Sequence, residues 1–199
     1  MPDPSASPNA VASQLSEAIL AVVSRVPATR EPPAQPPRPR ALQIAQRVRR
    51  NTAAVSAAAA LPPGPLGWLT LLPEAVAIWR MQAQMVSDIA GTYGRSAALT
   101  PELMLHCLFR HTADRAMGNL VVRMGERVLV QRMSLQALQP VARAVALRMT
   151  QRTVARGVAR WLPGVGSIVV GGYAWLDTGK VARAAIDVFS HPVEVRPAR

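Results

Sequence analysis

The sequence predicts an all-α protein, a compact bundle of about six helices with a Pro-rich disordered N-terminal tail. Three observations carry that reading. From Ala41 onward, apolar residues recur every three or four positions, the period of a helix with one buried face. Residues that start and stop helices stand at the ends of those runs, most plainly Thr100-Pro101-Glu102 and Gly94. Nine of the 18 prolines fall in the first 40 residues, a density that denies this part regular backbone pairing. The chain has 199 residues and is half apolar, enough to bury a sizeable core without staples. Its one cysteine excludes an internal disulfide framework.

Residues 1–40 read as a flexible tail carrying a short amphipathic helix near 11–26. Val11, Leu15, Ala18, Ile19, Val22, Val23 and Val26 recur at helical spacing. Residues 27–40, PATREPPAQPPRPR, then read as an extended linker. The helical domain is expected over 41–190. Its first helix, Ala41–Ala60, is Ala-rich and stops at Pro62-Pro63-Gly64-Pro65. Pro73 suits a first turn, and the next helix runs to about Tyr93 with Gly94 as its stop. Thr100, Pro101 and Glu102 supply an N-cap, a first-turn proline and a first-turn acid for Leu103–Met117. Residues 119–132 are Val-rich and contain Gly125, which weakens a helix there; a strand would lack an obvious partner. Ser134 caps a helix to about Gln139, and Pro140 starts or kinks another that ends near Trp161. A small-residue helix reaches Phe189, and 191–199 read as a frayed tail.

The formal net charge is +12, and its cations are Arg apart from Lys180. Such a surface attracts polyanions, either nucleic acid or anionic lipid, although a base composition rich in Arg, Ala, Pro and Gly codons produces the same excess. Arg148, Arg152, Arg156 and Arg160 are four apart and wind through only ~120° of a helix. They form a candidate anion- or lipid-contact stripe, or an ordinary solvated face. Two Tyr and two Phe leave few platforms for base stacking, which argues against nucleic acid.

Chemistry candidates are sparse. Cys107, His111 and Asp114 sit at i, i+4 and i+7 beside His106. A Cys–His pair at that spacing can generate a thiolate or hold part of a metal site, but zinc needs three or four ligands and no second cluster offers itself. No catalytic residue, cofactor or metal is therefore assigned. The Gly164-Val165-Gly166 turn lacks the Lys-Ser/Thr of a phosphate loop. Gln82 falls among Trp79, Val86 and Ile89, as a buried amide that fixes register or lines a pocket.

Residues 61–95, LPPGPLGWLTLLPEAVAIWRMQAQMVSDIAGTYGR, together with LTPELMLHCLFRH at 99–111 and RWLPGVGSIVVGGYAWLDTGKVARAAIDVF at 160–189, resemble the EcsC family of bacterial helical proteins. The carrying features are the Pro-Gly-Pro-Leu-Gly turn of 63–67, Gln82, the run from Asp88 to Gly94 and the Leu-Pro-Gly-Val-Gly turn. The resemblance implies a helical domain with suspected membrane association and no established reaction, and so transfers no catalytic residue. It marks Gly64, Gly67, Gly94, Gly164 and Gly166 as fold-determining turn residues.

Function is accordingly expected to be non-enzymatic: a peripheral membrane-associated protein or an accessory or scaffold protein of a membrane complex. The alternative is a soluble basic module for nucleic acid or for a protein partner held by the N-terminal tail. No secretory signal is readable, and the apolar stretches 61–73 and 161–176 are too short or too interrupted to span a bilayer. The expected location is the cytoplasm or the inner face of the cytoplasmic membrane. The two apolar stretches are expected to pack helices or touch lipid, with no reactive pocket between them.

Overall fold

The computed structural model of the protein describes residues 8–59, 67–113, 117, 120–156 and 165–197. Among them are six α-helices, α1 (Pro8–Val23), α2 (Pro37–Ala59), α3 (Gly67–Thr92), α4 (Pro101–Phe109), α5 (Leu135–Arg156) and α6 (Val165–Phe189). A three-stranded sheet joins them, β1 (Val121–Met124), β2 (Arg127–Gln131) and β3 (Val193–Arg196). The all-α architecture is as expected, with the sheet as a small addition.

Helix α6 forms the spine, packed chiefly on α2 and also on α3 and α4, while α1 packs chiefly on α5. In α2, Ala41, Ala45, Thr52 and Ser56 are all buried and share one face at intervals of four and seven residues, and Thr52 meets Thr178 across the α2–α6 seam. Helix α4 is the most enclosed element, with every residue from Glu102 to Phe109 buried. Trp79 of α3 meets Phe109 edge-on, ring centroids 5.3 Å apart, a favoured aromatic arrangement.

Local signals act as the sequence suggests. Thr100 caps α4 by accepting from the Leu103 N–H, with Pro101 in the first turn. Helix α3 ends in a Schellman motif, in which Gly94 at φ +67° donates to Gly91 O and Arg95 N donates to Ala90 O. Two prolines behave differently from expectation. Pro73 lies inside α3, which begins at Gly67, and Pro140 lies inside a continuous α5. Both are exposed, and each leaves the carbonyl four residues earlier without its N–H. Ser134 still caps α5 by accepting from Ala137 N.

The largest differences lie at the two ends. The amphipathic helix expected near 11–26 is α1 at 8–23, and it is docked: Ala12, Ile19, Val22 and Val23 are at most 4% exposed. Residues 24–36 are extended without regular structure, as their prolines require, yet they lie along α3. Ser87 Oγ donates to Pro27 O at 2.7 Å, Gln84 Nε2 to Ala28 O at 3.0 Å, and Arg30 N to Asp88 Oδ1 at 2.8 Å. Ala34 N donates to Thr92 O, and Arg40 holds the Glu31 carboxylate with two bonds. Backbone groups that cannot pair with each other need partners elsewhere, and the polar side of α3 supplies them. Gly91 permits the approach, since a Cβ there would stand 2.7 Å from Glu31 O.

At the other end, the segment expected to fray forms β3, parallel to β2 with Val128 opposite Val193 and Gln131 opposite Arg196. Strands β1 and β2 are an antiparallel hairpin, Val121 opposite Val130, whose two-residue loop has Gly125 at φ +60°, the backbone a tight hairpin needs. The Val-rich run thus has its partner, supplied from the far end of the chain. Arg95 fastens this corner by donating to the carbonyls of Phe189 and His191.

Candidate functional site

The surroundings of α6 contain two connected polar features, one buried and one open. The buried one starts at Gln82, which is fully inaccessible. Its amide Nε2 donates to Thr178 Oγ1 at 3.1 Å and to Asp177 Oδ2 at 3.2 Å. Thr178 Oγ1 lies 3.0 Å from Thr52 Oγ1, and Thr52 donates to the carbonyl of Val48 or Arg49. The donors therefore run in one direction, Gln82 to Thr178 to Thr52 to the α2 backbone, tying α3, α6 and α2 together. Among the described residues, Gln82 Oε1 and Ser56 Oγ have no hydrogen-bond partner. Gln82 is the buried amide that the sequence singles out, and its partners are side chains of α6.

Asp177 links this chain to His111, whose Nε2 is 2.7 Å from Asp177 Oδ1. His111 lies past the end of α4 in the turn that follows. Its Nδ1 is buried without a hydrogen-bond partner among the described residues. With Nε2 engaged and Nδ1 enclosed, neither ring nitrogen is presented to solvent as a base.

The open feature is a groove of about 490 Å³ between the end of α4 and α6, lined by Arg110, His111, Lys180, Arg183, Ala184 and Asp187. Asp187 faces Arg110 at 3.9 Å and Arg123 at 3.4 Å. Among the described residues neither Lys180 nor Arg183 forms an ion pair. Arg49 approaches from α2, its guanidinium 3.5 Å from the Trp175 ring centroid and donating to Trp175 O at 3.1 Å. Partial burial, and after it the nearby charge of Arg183, hold Arg49 below the ordinary arginine pKa.

Next to the groove, α6 exposes Tyr173 (48%), Trp175 (41%) and Leu176 (54%). Tyr173, Leu176, Lys180 and Arg183 fall at i, i+3, i+7 and i+10, a single stripe along the helix. Its first part is apolar and aromatic, its second part basic.

A scan against protein-family models finds no match, and neither the curated proteins nor the solved structures compared with the chain give one. Among the described residues no helix is long and apolar enough to cross a membrane.

The remaining sequence candidates are placed as follows. Cys107 is completely buried, and desolvation pushes its thiol up to about 12, so it stays protonated at neutral pH and is no nucleophile there. His106 is buried beside it, and Asp114 lies outside the described residues. Among the described residues no three metal-ligating side chains converge. Arg148 is exposed on α5; Arg152 and Arg156 belong to α5, but their side chains, like the whole of Arg160, lie outside the described residues. Gly64 and Gly164 also lie outside them, Gly67 opens α3, and Gly166 is the second residue of α6. The groove is where sequence reading falls short. Ionisable side chains do converge, in an open channel whose walls come from segments about 70 residues apart, and only the i, i+3 spacing of Lys180 and Arg183 hints at it.

Proposed function

We propose that the protein acts by association rather than catalysis, as a peripheral membrane protein that lays the exposed stripe of α6 on an anionic bilayer surface. The observation that carries this is the stripe itself, with Tyr173 and Leu176 followed by Lys180 and Arg183. With the helix lying in the interface plane, Tyr173 and Leu176 dip toward the acyl boundary while Lys180 and Arg183, on the same line, reach the headgroup phosphates. The EcsC-like pattern of the sequence agrees with this reading, as does a place on the cytoplasmic face, where anionic lipid is concentrated.

The magnitudes make binding reversible. Covering the exposed parts of Tyr173, Trp175 and Leu176 contributes about 1 kcal/mol each, and Arg49, Lys180 and Arg183 contribute about 1 kcal/mol each near an anionic surface. Together that is about 6 kcal/mol, a dissociation constant of tens of micromolar. Neither half suffices alone. Apolar side chains beside the cations favour lipid over nucleic acid, which offers no acyl layer.

Co-sedimentation with vesicles tests the proposal. The protein is expected to pellet with anionic vesicles at low salt, to stay in solution with neutral ones, and to be released either by high salt or by Tyr173→Ser with Leu176→Ser. Equal partition into both lipids or none, or a low-salt gel shift of DNA or RNA with no vesicle binding, overturns it.

A further inference from the structure

We infer that the groove between the end of α4 and α6 is a binding site for a phosphomonoester group, free or as the headgroup of a lipid. Arg110, Lys180 and Arg183 line it with one carboxylate, Asp187, leaving a net +2 on the walls. A phosphomonoester carries about −1.5 to −2 at neutral pH, so the charges match, whereas a phosphodiester or a carboxylate brings only −1. Asp187 is already held by Arg110 and Arg123, which leaves Lys180 and Arg183 as donors without an acidic partner among the described residues. They project from one helix face at i and i+3. An arginine presents a fork of donors and a lysine a point charge, a common pairing around phosphate oxygens.

The volume of about 490 Å³ takes a phosphate with a small attached group and stays open to solvent. His111 offers neither ring nitrogen to the groove, since Nε2 is held by Asp177 and Nδ1 is enclosed. His111 is therefore not placed as a base toward the ester. The inference deepens the membrane proposal and rests on it only where the phosphate is a lipid's.

The test uses the full chain, Lys180→Ala, Arg183→Ala and Asp187→Asn. All three positions are exposed, and circular dichroism with a thermal melt checks that each variant is folded. One arm titrates inorganic phosphate and glycerol phosphate by calorimetry. A second arm compares vesicles of equal surface charge carrying phosphatidic acid or phosphatidylserine. Saturable binding in the first arm, weakened about tenfold by Lys180→Ala or Arg183→Ala and tightened by Asp187→Asn, supports the site with a free phosphate as ligand. Preference for phosphatidic acid in the second arm only, lost in the same two variants, supports it with a lipid headgroup as ligand. Absence of both effects overturns the site. Vesicle binding that still depends on Tyr173 and Leu176 would then leave the membrane proposal standing, so the two failures are distinguishable.

Discussion

Along α6, Thr178, Val181, Ala182, Ala185, Val188 and Phe189 turn inward and are at most 3% exposed, while Tyr173, Leu176, Lys180 and Arg183, interleaved with them, stand in solvent. Both faces belong to one rod, yet they follow different rules. The inner face is built of small and β-branched groups, one hydroxyl whose hydrogen bonds are met by Gln82 and Thr52, and Phe189 at its end. The outer face carries large apolar and cationic groups that stand in solvent. What the difference teaches is that substitutions inside alter stability and substitutions outside alter association, and the two readouts should separate cleanly.

The sharpest way to test that separation is Phe189→Ala. Phe189 is fully buried at the end of α6, and its truncation is expected to cost about 3–5 kcal/mol, read as a lowered urea midpoint. Gln82→Ala comes next, at about 2–3 kcal/mol, because Asp177 and Thr178 each lose a donor in a buried setting. Thr178→Val keeps the volume and removes the hydroxyl at the junction of the relay, with an expected loss of about 1–2 kcal/mol in the same assay.

Cys107 sharpens the comparison from beneath the groove, where Arg110 and Asp187 act on its buried thiol. Its folded-state pKa of about 12 lies above the ordinary thiol value of 9.0, chiefly through burial, so the unfolded chain releases the proton first. Stability is then intact below pH 9 and falls as pH rises from 9 toward 12, by up to about 1.4 kcal/mol per unit. Cys107→Ala should flatten that part of the profile. The smallest effect belongs to the outer face. Tyr173→Ser and Leu176→Ser should leave stability within about 0.5 kcal/mol of the parent, while vesicle binding is lost. A large stability loss there would break the comparison.

Features set by neighbours in sequence were legible. The Thr100 cap, the Gly94 stop and the buried Gln82 each depend on a few adjacent residues or on one helix's periodicity. Features set by distant partners were not. The spacing of Gln84 and Ser87 gives no sign of their partners, because only the fold reveals that the carbonyls of Ala28 and Pro27 come to rest on them. Residues 121–131 could not be settled as a hairpin while their partner strand lay in an apparently trailing segment. The groove was missed for the same reason, since Arg110 and Asp187 meet only after α4 docks on α6. Helix boundaries misled at Pro73, which lies inside α3 rather than in its first turn, and at Pro140, where one continuous helix stands in place of two.

The parallel pairing of β3 with β2 also bears on the order of assembly. The hairpin forms from adjacent residues, but Val193 reaches Val128 only after α5 and α6 have both turned back on themselves. Closing so long an excursion carries an entropic cost that is recovered late. The third strand therefore acts as a completion mark: it zips into place once the bundle is otherwise built, and it should be the first piece to open when α6 loosens.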